Sequence, residues 1–222
     1  MTWKQIAKRG SVLLFIGLSL VACKDDSTRR LPIAGNTEYL EVERNGKIVI
    51  DTIYHTIPPF SYLNQDSVYV TEDSFKGKIL IADFMFTNCP SICPPMTTNM
   101  KRLNVMTKDL AKHVQFVSFS IDPYRDRPAR LREYIKEHGI EASNWSFLTN
   151  NDENVTHDLA GYFFNFAEKN EEIAGGYGHT SYFSIIDTRG RVRGVYDGLD
   201  AKAIDSLEND LRYLLKSEYG IK

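Results

Sequence analysis

The segment "KILIADFMFTNCPSICPPMTTNM", residues 78–100, contains the features that decide the fold. It begins with a short apolar run, residues 78–86, which is typical of a strand buried on both faces of a sheet. Two cysteines follow, and then Pro94 and Pro95, which suit the first turn of a helix because a missing N–H donor costs little there. The segment therefore predicts a buried strand, a cysteine loop and a helix, in that order.

Strand-like and helix-like patterns alternate through the rest of the chain. Upstream, the β-rich stretches "KIVIDTIYHTI" and "DSVYVTED" predict a hairpin or short strands. Downstream, the helix over residues 94–110 is followed by a second buried strand at 114–122, and Pro128 and Gly139 delimit another helix. The remaining elements are a strand at "WSFLTN", a helix capped by Asn151 or Asp152, a β-hairpin with its turn at "DTRG", and the closing amphipathic helix "AKAIDSLENDLRYLLKSEY".

This order of elements predicts an α/β fold, with a mixed central sheet and helices on both of its faces. It matches the thioredoxin-like fold with an N-terminal β-hairpin extension, because the cysteine pair lies between the first buried strand and its helix. The chain has 222 residues, which is enough for one domain with a full hydrophobic core.

The N-terminus has the pattern of an export signal. Lys4, Lys8 and Arg9 precede the uncharged apolar run "SVLLFIGLSLVAC", which is shorter than the roughly 20 residues of a membrane-spanning helix. The run ends at Cys23 and resembles the lipobox of bacterial lipoproteins, although an uncleaved anchor or an ordinary secretory signal would share its first part. We therefore predict a signal peptide at residues 1–22, a lipid-anchored tether at 23–40 and a folded domain at 41–222.

These features predict that the domain lies in the cell envelope, outside the cytosol, where disulfides can persist.

 We expect the domain to lie in the periplasm, held to a membrane by lipid on Cys23. Without residues 1–22 the count of Lys and Arg falls from 27 to 24 against 29 Asp and Glu, so the mature net charge is −5. An acidic chain with no basic run argues against nucleic acid as a partner.

Cys89 and Cys93 are separated by three residues, and their position next to a helix start bears on their chemistry. The helix dipole and free backbone N–H groups favour a thiolate, which is both the nucleophile of disulfide exchange and a soft metal ligand. A purely structural disulfide across so short a loop gains little loop entropy. Thioredoxin-like oxidoreductases use two intervening residues, so the spacing leaves both a redox couple and part of a metal site open.

The loop "FTNCPSICPPM" resembles the T-x-C-P-x-x-C-P loop of the Sco/SenC proteins, which are thioredoxin-like copper chaperones for cytochrome c oxidase. Further segments resemble the family in the same order, over roughly residues 55–215. They are "PFSYLNQDSVYVTEDSFKGKILIADFMFT", "VSFSIDPYRDRPARLREYIKEHG", "WSFLTN" and "YGHTSYFSIIDTRGRV".

The resemblance implies a site for one copper ion, as Cu(I) or Cu(II). Cys89 and Cys93 would be thiolate ligands and also a redox pair able to form a disulfide, and His179 would be the third ligand. Asp122 and Asp126 of "DPYRD" would support the site from outside the ligand set.

Two positions depart from the family pattern. The family usually has Asp immediately before the histidine, where this chain has Gly178, and Thr after the second acidic residue of the loop, where this chain has Arg127. Gly178 puts acidic tuning of the histidine in doubt, and Arg127 alters the charge near the site. Neither position is a proposed ligand.

The resemblance further implies a metallochaperone rather than an enzyme. It would deliver copper to the copper centre of cytochrome c oxidase, or maintain the thiols of that centre. Its partner would be the copper-accepting subunit or another copper chaperone. The alternative is a thiol-disulfide oxidoreductase acting on exported proteins without a metal, for which His179 is dispensable. A peroxidase on the same fold fits the paired cysteines poorly.

The other histidines and the methionines near the cysteines are interpreted as structural. Soft thioether ligands are plausible for copper, but the helical spacing of the methionines predicts core positions. The histidines concerned are His113, His138 and His157 and the methionines are Met85, Met96 and Met100, whereas no partner or role is named for His55.

Overall fold

The computed structural model describes residues 30–141 and 143–221. The predicted signal peptide, Cys23 and the first part of the tether lie outside the described residues. Within the described part of the chain, no helix is both long and apolar enough to cross a membrane.

The described residues form eleven strands and four α-helices. The strands are β1 (Thr37–Arg44), β2 (Lys47–Tyr54), β3 (Ser61–Asn64), β4 (Tyr69–Thr71), β5 (Ile79–Met85), β6 (Val114–Ser120), β7 (Trp145–Thr149), β8 (Ala167–Lys169), β9 (Tyr177–His179), β10 (Tyr182–Ile186) and β11 (Val192–Asp197). The helices are α1 (Cys93–Met106), α2 (Pro128–Glu137), α3 (Glu153–Tyr162) and α4 (Ala201–Tyr219). Short 3₁₀ turns lie at Glu72–Phe75 and Lys108–Leu110.

Seven strands form the central sheet, in the order β11-β10-β5-β6-β7-β3-β4. The three middle strands, β5, β6 and β7, run parallel, and the outer strands pair antiparallel. Every residue of β5 and β6 is buried, as the continuous apolar runs predict. The sheet is therefore mixed, which confirms the predicted thioredoxin-like architecture.

One face of the sheet is covered by α3 and an aromatic cluster. The rings of Phe84 in β5 and Phe119 in β6 stack with centroids 5.2 Å apart. Both also pack against Phe163, directly after α3, at 5.5 Å. Neighbouring residues of a strand point to opposite faces, so Asp83 and Ser118, which are register partners, point the other way.

The opposite face is covered by α1 and α2. Phe147 of β7 is the register partner of Ser118 and shares its face, and its ring lies 6.1 Å from that of Tyr134 in α2. The Tyr134 hydroxyl forms a 2.7 Å hydrogen bond with Thr97 of α1. Helices therefore lie on both faces of the sheet, as predicted.

The N-terminal extension is the hairpin β1–β2, which forms a two-stranded sheet of its own. Its turn, Asn45–Gly46, has φ angles of 53° and 74°. Two successive positive φ angles are what a two-residue hairpin turn requires, which explains the Asn-Gly pair. The extension predicted from the β-rich N-terminal stretches is thereby confirmed.

The helix ends follow local sequence signals, with one difference. Asp152 caps α3 by accepting a hydrogen bond from the N–H of Asn154, and Gly220 ends α4 with φ 67°. The helix predicted over 94–110 ends instead at Met106. The Thr107 hydroxyl donates a hydrogen bond to the carbonyl of Leu103, which is also an acceptor of the helix backbone. Such a side-chain bond competes with the backbone hydrogen bonds of a helix, and α1 ends directly before Thr107.

A buried ion cluster joins the start of the described chain to its last helix. The guanidinium of Arg193 in β11 pairs with Asp187 and with Glu218 of α4. It also donates to the backbone carbonyls of Leu31 and Pro32, at 2.7 and 3.1 Å. Residues 31 and 32 are therefore fixed beside the β10–β11 turn.

Candidate metal centre

Three parts of the chain meet at the carboxyl end of β5. Cys89 lies in the loop after that strand, Cys93 is the first residue of α1, and His179 is the last residue of β9. Strand β9 is placed by its pairing with β8, in which His179 lies opposite Ala167. Segments that are 86 residues apart in sequence thus meet at one point, as the family resemblance implies.

The three side chains form a compact donor set. The Cys93 sulfur lies 3.2 Å from His179 Nε2, and the two sulfurs and an imidazole nitrogen all lie within 4.8 Å of one another. In the described part of the chain, no other group of three His, Cys, Asp or Glu residues is arranged in this way. Two ligands at about 2.0–2.3 Å from one ion lie roughly 3.5–4 Å apart, so small side-chain movements suffice to bind a metal.

Local backbone structure fixes the two sulfurs next to each other. The N–H of Cys89 donates to the carbonyl of Phe86 and closes a turn after β5. The N–H of Cys93, free because it starts α1, donates to the Cys89 sulfur at 3.4 Å. Pro94 and Pro95 follow in the first turn and offer no N–H groups of their own. The cysteine loop therefore directs a free helix N–H at Cys89.

The two thiols have opposite pKa shifts. The hydrogen bond from Cys93 is the main cause that lowers the pKa of Cys89 to about 3, and His179 and the N–H groups of Ser91 and Cys93 add to it against the effect of burial. Burial and the neighbouring Cys89 thiolate raise the pKa of Cys93. Cys93 is 1% exposed and Cys89 9%. The pair therefore holds one proton, on Cys93, and one negative charge, on Cys89.

The imidazole of His179 is oriented with Nε2 towards the sulfurs. Its Nδ1 lies 2.9 Å from the carbonyl oxygen of Thr180, and only an N–H can bond there. Nδ1 is therefore the protonated nitrogen, and Nε2 carries the free electron pair that a metal needs. The ring also packs edge-on against Phe86, at 5.8 Å.

Two glycines shape the loop before His179. Gly175 has φ 95°, and a Cβ built on it would lie 2.8 Å from the Phe86 ring and 3.2 Å from the carbonyl oxygen of Asn88. The loop that carries the histidine thus packs directly on the loop that carries the cysteines. Gly178, where the family usually has Asp, supplies no carboxylate, and the carbonyl of Thr180 is the bonded partner of Nδ1.

The buried carboxylate of Asp126 holds the start of the cysteine loop through hydrogen bonds. Its carboxylate accepts hydrogen bonds from the N–H and the hydroxyl of Thr87, at 3.0 and 2.5 Å, and from the hydroxyl of Ser120 at 2.6 Å. Burial raises its pKa. Because Thr87 is two residues before Cys89, these bonds fix the start of the loop.

Asp122 supports the histidine loop through Arg125. The Arg125 guanidinium pairs with Asp122 at 2.7 Å and donates to the carbonyl of Gly175 at 3.1 Å. Arg127, the second departure from the family pattern, donates to Asn151 rather than to any of the three donor residues. The positions of both acidic residues agree with supporting roles beside the donor set, which remain predictions.

The other histidines bond elsewhere. The rings of His55, His138 and His157 each bond a backbone carbonyl, at 2.9, 3.0 and 3.1 Å. His113 bonds the start of β5 through its backbone carbonyl. The methionines at 85, 96 and 100 are at most 2% exposed and belong to the hydrophobic core.

Sequence reasoning missed two groups near the donor set. Arg125 joins Asp122 to the histidine loop, and nothing in the sequence distinguishes it from the neighbouring arginines. Asp83, in β5, is 3% exposed. The sequence does single out Asp83, because it is the one charged residue within the apolar strand "ILIADFM".

Comparison with known proteins agrees with this geometry. The SCO1 protein homolog of Bacillus subtilis is 32% identical over 167 residues, covering 75% of this chain and 86% of its own length. A SCO1/SenC family lipoprotein of Bacillus anthracis superposes with a TM-score of 0.66 at 36% identity, over 72% of this chain and 94% of its own.

A third relative is BsSco, described as a member of the Sco family of cytochrome c oxidase assembly proteins and as having a disulfide switch. Its structure gives a TM-score of 0.63 at 32% identity, over 72% of this chain and 92% of its own. The sequence model of the SCO1/SenC family matches residues 51–216, which are most of the folded part. On the sequence match, the shared fold and the relatives, this chain belongs to the SCO1/SenC family.

Proposed function

We propose that the chain is a copper chaperone that serves the assembly of cytochrome c oxidase. One observation carries the proposal: two sulfurs and an imidazole nitrogen, from two distant parts of the chain, lie within 4.8 Å of one another. The resemblance to the Sco/SenC copper chaperones implies this set of donors. The relative BsSco is described as a member of a family of cytochrome c oxidase assembly proteins.

The protonation state of the donors suits Cu(I). Cys89 is a thiolate before the metal arrives, and His179 offers a free electron pair at Nε2. Only Cys93 has to lose a proton. Two thiolates are the soft ligands that Cu(I) prefers, and the imidazole also suits Cu(II), so the set can hold either oxidation state.

The site also suits transfer. It lies on a loop and at the end of a short strand. His179 is half-buried, and Cys89, although largely buried, is more exposed than Cys93. Three protein ligands leave copper accessible to a thiolate of the acceptor, so the ion can move by ligand exchange. We propose the copper-accepting subunit of cytochrome c oxidase, or another copper chaperone, as the partner.

Oxidation of the cysteine pair would control loading. When the Cys89 thiolate and the Cys93 thiol reduce a disulfide partner to one thiolate and one thiol, Cys93 gives up its proton and the new S–S bond removes two of the three ligands. Reduction restores them. The relative BsSco is described as having a disulfide switch, which supports this part of the proposal.

We further propose that Cys23 is lipidated and holds the domain on the periplasmic side of a membrane. The lipobox-like end of the N-terminal apolar run supports this, as does the lipoprotein of Bacillus anthracis among the relatives. Mass spectrometry of the protein from membranes tests it, since an acylated N-terminal Cys23 is expected and a free Met1 would contradict it.

The copper site is tested by titrating the reduced protein with Cu(I) in competition with a chromophoric chelator. We expect one equivalent to bind, and His179→Ala to lower the affinity by tenfold or more, an estimate based on the loss of one of three ligands (about 1.4 kcal/mol per factor of ten). His113→Gln is the matched control, because its backbone, not its ring, contacts β5. Equal affinity in the two variants would contradict the proposed ligand set.

A thiol-disulfide oxidoreductase remains the second candidate, since the low pKa of Cys89 would also suit a nucleophile. That function needs the cysteine pair and not the imidazole as a ligand. If His179→Ala reduces a disulfide substrate as fast as the unchanged chain and neither protein retains copper, the second candidate replaces the first.

A further inference from the structure

The N-terminal hairpin is a sheet that the rest of the described chain leaves largely uncovered. Its strands β1 and β2 pair only with each other. All residues of β1 except Val42, and all of β2 except Val49 and Asp51, are exposed, and the side chains of Ile48 and Ile50 are 73% and 66% exposed. An isolated two-stranded hairpin is only marginally stable in water, whereas three or more strands with an apolar face can be stable. The hairpin therefore has an edge to which a further strand can add.

The two outer edges of the hairpin differ in charge. Strand β1 carries Glu38, Glu41 and Glu43 along its length and a single basic residue at its end. An edge strand with this net negative charge repels a second copy of itself, because pairing brings like charges close together. Strand β2 has only two charged residues, Lys47 and Asp51, and they are of opposite sign. The edge of β2 is therefore the one that is open to a further strand.

The geometry of the hairpin fixes which backbone groups of β2 point outward. Arg44 and Lys47 flank the Asn45–Gly46 turn and lie opposite each other. In a two-residue hairpin this flanking pair exchanges both of its backbone hydrogen bonds, and bonded pairs then alternate with non-bonded pairs along the strands. The N–H and C=O groups of every second residue of β2, beginning with Ile48, therefore point away from β1 and towards the open edge.

A second copy of β2 is complementary to this edge in one antiparallel register. With the two-fold axis at Val49, Ile48 lies opposite Ile50 of the second copy, and these outward-facing residues can exchange backbone hydrogen bonds. Lys47 then lies opposite Asp51 of the second copy, and the same pair recurs on the other side of the axis. An axis at Ile48 or Ile50 puts Lys47 opposite an apolar residue, and an axis at Asp51 puts the two carboxylates together.

We propose that the edge of β2 is an interface between two copies of this chain, whose hairpins join into one four-stranded antiparallel sheet. The strand order is β1-β2-β2-β1, so the acidic β1 strands form both outer edges and the assembly closes at two copies. The exposed Ile48 and Ile50 of both copies meet on one face of this sheet. On the other face Asp51, which accepts a 2.6 Å hydrogen bond from Arg44 of its own chain, gains Lys47 of the second copy as another cation.

The interface does not depend on copper. Cys89, Cys93 and His179 lie in the loop after β5, at the start of α1 and at the end of β9, and none of them belongs to the hairpin. Each copy therefore keeps its own donor set. A chain that binds copper but stays monomeric would contradict the interface alone, and a dimer that binds no copper would contradict the proposed function alone.

Cross-linking tests the register. The two Val49 positions would form a non-hydrogen-bonded pair with Cα atoms about 4.5 Å apart, which is within the range of a disulfide. Val49→Cys, in a full chain with Cys89 and Cys93 replaced by serine, should therefore give a disulfide-linked dimer under mild oxidation. Val42→Cys is the matched control, because Val42 is the register partner of Val49 and is also half-buried. Its two copies would lie three strand spacings apart, roughly 14 Å.

Non-reducing electrophoresis measures the cross-linking, and mass spectrometry of the linked peptides identifies the bond. We expect a dimer linked through position 49 and little at position 42. Equal cross-linking at both positions, no cross-linking at position 49, or a bond from position 49 to a different protein overturns the proposal.

Exchange of charges tests the two ion pairs without a cross-link. Lys47→Asp and Asp51→Lys each put like charges opposite one another in a dimer of identical copies. Each variant alone should associate about tenfold more weakly than the unchanged chain, because two exposed ion pairs are replaced by two like-charge contacts. In an equal mixture of the two variants, the acidic pair of residues in one copy faces the basic pair in the other, so association should recover.

Energy transfer between donor-labelled and acceptor-labelled chains measures the association, and it also reports the mixed dimer. Recovery in the mixture requires that both variants retain a folded hairpin, so it separates a loss of pairing from a loss of folding. Unchanged association of the single variants, or weak association that the mixture does not restore, overturns the proposal.

Discussion

Replacing Gly175 with Ala tests whether the histidine loop is held in place by its contact with the cysteine loop. A Cβ at this position would lie 2.8 Å from Phe86 and 3.2 Å from the backbone oxygen of Asn88. The φ angle of 95° is itself unfavourable for a residue with a side chain, at about 1–3 kcal/mol. Overpacking against the ring adds about 1–3 kcal/mol.

Gly176→Ala is the matched control, because Gly176 has a similar φ of 86° but no atom within 4 Å of a built Cβ. Both variants bear the backbone strain, so the difference between their free energies of unfolding isolates the contact with Phe86. We expect Gly175→Ala to be less stable than the control by about 1–3 kcal/mol. In a chain of this size that is a difference in Tm of roughly 2–12 °C.

Thermal unfolding followed by circular dichroism measures the stability, and chelator competition measures the Cu(I) affinity of the two variants. If the loop shifts to relieve the contact, His179 moves with it, and the affinity should fall in Gly175→Ala more than in the control. Equal Tm values together with equal affinities would refute the reasoning, because the two loops would then not constrain each other.

Two further predictions concern the cysteine loop. Alkylation of Cys89 should stay nearly constant in rate from pH 8 down to about pH 4, because its pKa is lowered to about 3, whereas an ordinary thiol loses its thiolate as the pH falls below about 8.5. Cys93→Ala removes the main cause of this shift and should restore a strong pH dependence; mass spectrometry of the labelled peptide measures both. Asp126→Asn replaces a carboxylate that accepts three hydrogen bonds, and should lower the free energy of unfolding by about 1–3 kcal/mol in urea titrations. Thr98→Ala, on the exposed side of α1, is its control and should change stability by less than about 0.5 kcal/mol.

The central elements could be predicted from the sequence because their signals are local. The continuous apolar runs of β5 and β6 indicate strands buried on both faces, and the Pro and Asp signals at the helix starts mark α2 and α3. The proximity of His179 to the cysteines is not a local property. It was predicted only through the family resemblance, and it depends on the pairing of β9 with β8.

The remaining features depend on three-dimensional contacts that no short pattern encodes. The bond from Arg125 to the carbonyl of Gly175 spans 50 residues of sequence. The unequal protonation of Cys89 and Cys93 follows mainly from the hydrogen bond between their side chains and from the burial of Cys93, neither of which can be read from residue spacing. Asp83 is an intermediate case, since its charge within an apolar strand is visible but the face to which it points is not.

The ion cluster around Arg193 also determines which way an anchored molecule would face. It fixes residues 31 and 32 beside the β10–β11 turn, next to Leu80 near the amino end of β5, whereas the three donor side chains lie beyond the carboxyl end of that strand. If Cys23 carries the proposed lipid, the residues from Cys23 to Leu31 reach at most about 30 Å from it. The amino end of β5 would then lie close to the bilayer, and the proposed copper site at its carboxyl end would face away from it. In that orientation the exposed domain of a membrane-bound oxidase could contact the site.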